Sequence, residues 1–419
     1  MAHKAKAFLS VLQSLRLIIL FFLGFLVAGN PAEASKKKQK KKRKSTGSRF
    51  QPVLSRLENA DSPEFRQLLN RWNDLKKGKK AGNTSVLILG DSHNQCEDFG
   101  IAFSRYLIDS LQIPSAGRSF VFPYPLARTS HRSDMVFGPG RDWHGCRFTK
   151  EENECDWGLA GWTAHFNQDS TSFSWKNSRG NFQKGDEFIL LSPEKSAGQF
   201  QVWMKDSTGT KTEMLYNQKL AGYSAFLSGM SNEIEFILKK RFSEAEFVLQ
   251  GIVRKPANEG VSLGISGTNG ARLDHYLQNP DFQRHLRVIN PALIIIALGT
   301  NDAFSGNFNP ETTRQALQEL LTKIKSSIPE AAILLVGPPD HCVRKRIVNP
   351  KTAKVNAVFS EIAEMLDFVF WNQQKSMGGK GAILAWRSKG LATKDLVHFT
   401  PDGYSLQARL LGRALRLEF

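Results

Sequence analysis

Apolar positions along the chain follow two different periods, and these periods predict strands that alternate with helices. Three short, continuous apolar runs predict strands of a parallel sheet that is covered on both faces: residues 85–89, 292–298 and 331–337. Apolar residues at three- and four-residue steps predict helices at residues 52–77, 99–111, 310–328 and 353–366, with another beginning after residue 267. This alternation predicts an α/β fold with a doubly wound parallel sheet.

The pattern changes between residues 118 and 258. Short segments there alternate apolar with polar positions, as in residues 199–205 and 233–238, and turn residues such as those at 206–209 separate them. This pattern is typical of antiparallel strands. We therefore expect a β-rich module inserted into the parallel-sheet domain.

Three residues in the predicted α/β part have the chemistry of a nucleophile and its base. Ser92 follows the strand at residues 85–89, so it is exposed at the carboxyl end of the sheet. A serine hydroxyl needs a base to remove its proton, and His398 is the candidate. Asp395 lies three residues earlier, where its carboxylate can orient the imidazole and stabilise its cation. These residues predict a catalytic triad.

The triad residues belong to four short blocks: Gly-Asp-Ser-His at 90–93, Gly-Ile-Ser-Gly at 264–267, Gly-Thr-Asn-Asp at 299–302 and Asp-Leu-Val-His at 395–398. In this order they resemble blocks I, II, III and V of the SGNH (GDSL-type) hydrolases, which cleave esters or transfer acyl groups. The extended block I at 90–98 resembles that of periplasmic peptidoglycan O-acetylesterases, which carry an inserted carbohydrate-binding-module-like β domain. The resemblance covers roughly residues 84–419. It implies an SGNH hydrolase sandwich with an inserted antiparallel β-sandwich.

The resemblance also implies three donors for the oxyanion of the tetrahedral intermediate. They are the backbone N–H groups of Ser92 and Gly267 and the side-chain amide of Asn301. Gly267 suits this role because it has no Cβ to obstruct the substrate. Gly270 is an alternative, since it lies in a turn-like Thr-Asn-Gly sequence.

Three further residues are candidates for the pocket around Ser92. Asp91 is expected to stabilise the block I turn, and His93 either lines the pocket or packs beside it. Trp162 follows Gly161 in an aromatic-rich stretch, and stacking of its indole on a sugar ring is one interpretation. Core packing is the other interpretation of this tryptophan.

The N-terminal region has the pattern of an exported protein. Residues 1–34 contain an early pair of lysines, an apolar run and a small-x-small cleavage site, which together predict a signal peptide; an uncleaved anchor is the alternative. The basic segment Lys36–Lys44 carries much of the formal net charge of +18 and predicts a disordered tail with affinity for anionic envelope polymers or membrane surfaces. Nucleic acid is not expected as a partner, because no base-reading motif is present.

The four cysteines predict disulfides, because the chain is expected to be exported. Cys146 and Cys155 close a short loop and form the first expected pair, which leaves Cys96 with Cys342. The sequence contains no HExxH or CxxC spacing, and no metal or cofactor is expected.

These observations predict an exported serine esterase that removes O-acetyl groups from an envelope glycan, with peptidoglycan as the substrate that the resemblance implies. An O-acetyltransferase of the same fold is one alternative, and a non-catalytic glycan-binding protein is another. The expected organisation is a signal peptide at 1–34, a basic tail at 35–52, hydrolase parts at 53–117 and 259–419, and the β-rich insert at 118–258.

Overall fold

The computed structural model describes residues 50–129, 132–138, 140, 142–150 and 155–419. The strands are β1 Asn83–Gly90, β2 Ser115–Val121, β3 Met135–Phe137, β4 His144–Arg147, β5 Trp162–Phe166, β6 Ser170–Asn177, β7 Glu187–Leu191, β8 Phe200–Asp206, β9 Lys211–Asn217, β10 Gly222–Phe226, β11 Glu233–Lys240, β12 Phe247–Leu249, β13 Gly251–Lys255, β14 Gly260–Gly267, β15 Leu293–Ala297, β16 Ala332–Val336, β17 Cys342–Val343, β18 Ile347–Val348 and β19 Val369–Trp371.

The α-helices, in chain order, are α1 Pro63–Lys76, α2 Ser92–Gln95, α3 Asp98–Arg105, α4 Leu273–Leu277, α5 Phe282–Ile289, α6 Thr300–Phe304, α7 Pro310–Ser327, α8 Lys351–Met365, α9 Gln373–Met377, α10 Ala382–Ser388 and α11 Pro401–Arg416. A π-helical turn, Tyr106–Ser110, continues α3. No helix of the described residues is long and apolar enough to cross a membrane.

Six strands form the parallel part of the main sheet, in the order β19-β16-β15-β1-β14-β2. Alternate residues of β1 face the two sides: Val86 and Ile88 pack in one apolar core, and Leu87 and Leu89 pack in the other. Because both faces are buried, the strand is apolar throughout, as its continuous run predicts. The α/β class with its parallel sheet is confirmed.

The antiparallel strands continue the same sheet beyond β2, in the order β13-β7-β10-β9-β8-β11-β6-β3. Strand β9 pairs with β8 through its first half and with β10 through its second half. Phe188 of β7 and Phe236 of β11 are fully buried, and their ring centroids lie 6.2 Å apart. The strands on either side of β9 therefore pack against each other through aromatic side chains.

The structure differs from the sequence-based expectations at one domain boundary and at the start of one helix. The expected boundary between residues 117 and 118 falls inside β2, which pairs with both β14 and β13. The helix expected at 52–77 begins only at Pro63. Proline favours the first helical turn because its N–H is not needed there, and the residue before it is disfavoured from helical geometry. The expected signal peptide and most of the basic tail lie outside the described residues.

The two expected disulfides have different outcomes. Cys146 and Cys155 are bonded. Cys96 and Cys342 are both free, so that pairing, which rested on subtraction alone, was wrong. The Cys96 thiol instead donates a hydrogen bond to the His93 carbonyl at 3.2 Å.

Candidate active site

Ser92 is the first residue of the short helix α2, directly beyond the end of β1. Asp91 caps this helix, because its Oδ1 accepts a hydrogen bond of 2.9 Å from the His93 N–H. The N–H of Ser92 lies in the first turn, where helical N–H groups have no intrahelical acceptor. The turn therefore presents both the hydroxyl and the N–H of Ser92 at the carboxyl end of the parallel sheet.

His398 and Asp395 complete a hydrogen-bonded chain with Ser92. The Ser92 Oγ lies 2.8 Å from His398 Nε2, and His398 Nδ1 lies 2.8 Å from Asp395 Oδ2. When Nδ1–H donates to the carboxylate, Nε2 is left as the acceptor of the serine proton. This tautomer is the one that general-base catalysis by His398 requires.

The Asp395 carboxylate is held by donors on both oxygens. Its Oδ1 accepts hydrogen bonds from Thr393 Oγ1 at 2.6 Å, Val397 N at 2.8 Å and His398 N at 3.0 Å. Partial burial acts to raise the pKa of Asp395, but these bonds and the one from the His398 ring outweigh it and hold the pKa far below its usual range. Asp395 is therefore ionised at any pH near neutral.

The loop between these two residues has a strained backbone. Leu396 has a φ of 60°, a left-handed conformation that costs a branched residue about 1 kcal/mol or more. Its carbonyl accepts a hydrogen bond of 2.8 Å from the Cys342 N–H. Beyond His398, Thr400 caps α11 by accepting from the Gly403 N–H at 3.2 Å, as the Thr-Pro sequence predicts. The loop is thus fixed at both ends.

Asn301 lies at the start of α6, next to the block I turn. Its Nδ2 donates to Asp91 Oδ2 at 3.2 Å and to the Ala271 carbonyl at 3.0 Å. Burial raises the pKa of Asp91 to about 6, against the hydrogen bonds that the carboxylate accepts. The structure therefore brings Asn301 to the Ser92 turn, with both amide protons engaged in this state.

The backbone N–H of Gly267, which was expected to be an oxyanion donor, is engaged inside the protein. Gly267 ends β14, where its N–H donates to the Tyr124 hydroxyl at 3.2 Å and its carbonyl accepts from that hydroxyl at 2.7 Å. A Cβ at this position would lie 2.2 Å from the Gln95 backbone nitrogen. Glycine is needed here because β14 packs tightly against α2. The alternative residue, Gly270, lies in open space with a φ of 84°.

His93 is buried behind the triad, and its ring centroid lies 5.2 Å from that of His398. Its Nδ1 shares a hydrogen bond of 3.0 Å with the Tyr404 hydroxyl. Burial, followed by the proximity of His398, lowers the pKa of His93 well below its usual value. His93 is therefore a neutral support for His398, on the side away from solvent.

Trp162 lies in the protein interior, with only 5% of its surface exposed. Its ring packs against Phe122 and Tyr124 at centroid distances of 6.3 and 6.2 Å. The space beside Gly161 is filled by the Phe148 ring, which a Cβ would approach to 2.4 Å. Trp162 therefore packs in the core, which is the second interpretation of this aromatic-rich stretch, and has no open face on which a sugar ring could stack.

Asp302 is a half-buried acid that the sequence argument did not single out. It lines an open groove of about 300 Å³ beside Asn301, together with Arg272 and Asn309. Its Oδ1 accepts from the Leu273 N–H at 3.3 Å, and its buried Oδ2 has no hydrogen-bond partner among the described residues. Burial raises the pKa of Asp302 to about 7. Its position next to Asn301 in block III was the available signal.

Comparisons with known proteins concern the fold and the family. Residues 241–406 match the model of the GDSL-like lipase/acylhydrolase family. A solved structure described as "Peptidoglycan O-acetylesterase in action, 5 min" superposes with a TM-score of 0.70 and 22% identity, covering 86% of this chain and 97% of that one. No curated protein matches the chain in sequence.

Two smaller solved structures match only part of the chain. The lipase/acylhydrolase from Enterococcus faecalis has a TM-score of 0.32 and 21% identity, over 38% of this chain and 77% of that one. The acetylxylan esterase from Geobacillus stearothermophilus has a TM-score of 0.29 and 17% identity, over 38% and 72%. The chain therefore has the fold of the SGNH (GDSL-type) hydrolases, and its residues 241–406 are similar to the GDSL-like lipase/acylhydrolase family.

Proposed function

We propose that this protein is an exported serine esterase that removes O-acetyl groups from an envelope glycan, with peptidoglycan as the substrate. The observation that carries the proposal is the continuous hydrogen-bonded chain from Ser92 through His398 to Asp395. It supplies a nucleophile, a base in the correct tautomer and an ionised carboxylate to orient that base.

In the first half of the reaction, Ser92 Oγ attacks the acetyl carbonyl while His398 Nε2 takes its proton. The resulting imidazolium is stabilised by Asp395, which stays ionised. His398 then donates the proton to the departing sugar oxygen, and acetyl-Ser92 remains. In the second half, His398 activates a water molecule, which releases acetate and restores the serine.

The oxyanion is bound by the Ser92 N–H and by the amide of Asn301. Asn301 can donate to it only when one N–H leaves the Ala271 carbonyl, while the other stays on Asp91. A mobile donor of this kind acts when negative charge develops on the substrate oxygen. Loss of one such donor costs about 3 kcal/mol in kcat.

Two observations support a polymeric acetyl ester as the substrate. The side chains of His398 and Asp395 are 38% and 39% exposed, so the site is open enough for an acetyl group carried on a bulky glycan. The structure with a TM-score of 0.70 is described as a peptidoglycan O-acetylesterase. The signal-peptide pattern at residues 1–34 supports export, and the basic segment Lys36–Lys44 suits adhesion to anionic envelope polymers or lipid surfaces.

The test is acetate release from O-acetylated peptidoglycan, run beside acetylated xylan and beside peptidoglycan with an added sugar acceptor. We expect acetate from peptidoglycan with the wild-type protein and none with Ser92→Ala. Faster release from xylan would overturn the substrate assignment. Transfer to the acceptor in place of acetate release would overturn hydrolysis in favour of an O-acetyltransferase.

A further inference from the structure

Three side chains with metal-ligating atoms meet on the small sheet formed by β12, β5 and β4. His144 of β4 lies directly opposite His165 of β5, and Glu246 immediately precedes β12, which pairs with the other edge of β5. One ligand atom from each residue lies within 4.8 Å of the other two. The cluster includes none of the residues placed in the esterase mechanism.

The separation of the ligand atoms suits a small divalent ion. His165 Nδ1 lies 3.3 Å from Glu246 Oε1. In a tetrahedral zinc site, bond lengths of about 2.0–2.2 Å place neighbouring ligand atoms roughly 3.3 Å apart. His144 is exposed, and its ring lies nearly parallel to that of His165 at a centroid distance of 5.2 Å. Its ligand nitrogen lies within 4.8 Å of the ligand atoms of His165 and Glu246.

His165 also has the outer hydrogen bond that metal-binding histidines use. Its Nε2 lies 3.0 Å from the hydroxyl of the fully buried Thr163. When Nε2–H donates to this hydroxyl, Nδ1 is the unprotonated nitrogen and faces the Glu246 carboxylate. Such a partner fixes the tautomer and the orientation of a ligating ring.

The charges around the cluster permit a cation. Glu246 supplies a negative charge and is 40% exposed, so an ion can enter from solvent. Lys195 lies near His165, but its ammonium group is paired with the Asp156 carboxylate. The donor set of two imidazoles and one carboxylate suits Zn²⁺ and its neighbours in preference to Mg²⁺ or Ca²⁺.

We propose that His144, His165 and Glu246 bind Zn²⁺ or a similar divalent transition-metal ion, with water as the fourth ligand. The ion ties together the three strands β12, β5 and β4. Strand β4 contains Cys146 of the disulfide. The segment before β5 accepts hydrogen bonds from the end of β14, since Ser266 Oγ of block II donates to the Leu159 carbonyl at 3.1 Å and Thr268 Oγ1 donates to the Ala160 carbonyl at 2.6 Å. The ion therefore stabilises the segment that supports the carboxyl end of β14.

The experiment measures Zn²⁺ binding by calorimetry and Co²⁺ binding by visible absorption, on the untagged protein after chelator treatment and dialysis. The variants are Glu246→Gln and His144→Ala, both at positions exposed enough to preserve folding. Glu244→Gln is the matched control, since this exposed glutamate lies two residues away from the site. Binding is measured directly, so the result does not depend on the esterase assignment.

We expect one ion per chain, with affinity lowered about tenfold or more by Glu246→Gln and by His144→Ala and unchanged by Glu244→Gln. Bound Co²⁺ should give the intense visible spectrum of a tetrahedral site. Absence of saturable binding by the wild-type protein would overturn the proposal. Equal affinities of Glu246→Gln and Glu244→Gln would overturn it too, because the ion would then lie elsewhere.

Discussion

Substitution of Asp395 by asparagine should trap His398 in the wrong tautomer. Three donors point at Asp395 Oδ1: Thr393 Oγ1 and the N–H groups of Val397 and His398. In the Asp395→Asn variant they select the amide oxygen for that position, so the NH₂ group of the new side chain faces His398 Nδ1. The ring must then carry its proton on Nε2, where it cannot accept the proton of Ser92.

The size of the effect follows from these three bonds. Each contributes about 1 kcal/mol net, so the flipped amide is disfavoured by about 3 kcal/mol, or roughly a hundredfold in population. We therefore expect kcat on a small acetyl ester to fall at least about a hundredfold, towards the 10⁴-fold known for a wrong-tautomer triad. KM should change little, since the side chain keeps its shape. The midpoint of urea unfolding should fall at neutral pH, because the lowered pKa of Asp395 shows that its ionised carboxylate stabilises the fold.

A second substitution tests the tautomer argument itself. Thr393→Val removes one of the three donors to position 395. In the Asp395→Asn background this lowers the preference for the unproductive amide orientation by about 1 kcal/mol, so kcat should rise about fivefold. Thr393→Val alone is the control and should lose less than about tenfold, because the two backbone donors remain. If Asp395→Asn kept more than a tenth of wild-type kcat, the reasoning about the tautomer would be refuted.

Three further predictions concern Trp162, Gly267 and Asp302. Trp162→Ala should lower the free energy of unfolding by about 3–5 kcal/mol and reduce activity equally on glycan and small ester; a loss on glycan alone would restore a binding role. Gly267→Ala should lower both stability and kcat, because its Cβ would displace α2, whereas Gly270→Ala should retain kcat; the reverse order would contradict this packing. Asp302→Asn should remove a pH dependence of the free energy of unfolding. Because the pKa of Asp302 is raised to about 7 in the folded state, its protonated form contributes stability below about pH 4, and this contribution, at most about 4 kcal/mol, is lost as pH rises to about 7. Urea unfolding should therefore show a loss of stability between pH 5 and pH 8 in the wild type that the variant lacks.

The parallel sheet could be predicted from the sequence because continuous apolar runs have few other uses in a soluble domain. The residues of the Ser92–His398–Asp395 chain could be predicted because each lies in a short block with its own chemistry. Ser92 and His398 are 306 positions apart in the chain, and only the fold brings them into contact.

Other features depend on contacts that no local pattern reveals. The role of Gly267 depends on Tyr124, which lies 143 positions earlier in the chain and engages its N–H. Burial of Trp162 depends on Phe122 and Tyr124, which lie just beyond the end of β2 and about 40 positions earlier in the chain. The His144–His165–Glu246 cluster arises from strand pairing, so its ligands have no motif spacing.

The central claim is that Ser92 carries the acetyl group during turnover. The most direct measurement is mass spectrometry of protein quenched with acid during steady-state hydrolysis of a small acetyl ester, followed by digestion and sequencing of the modified peptide. The account predicts one acetyl group on Ser92 in the wild-type protein and none in Ser92→Ala, with turnover lost in that variant. Acetate release by Ser92→Ala at a rate near that of the wild type, with no acetylated peptide in either protein, would contradict it.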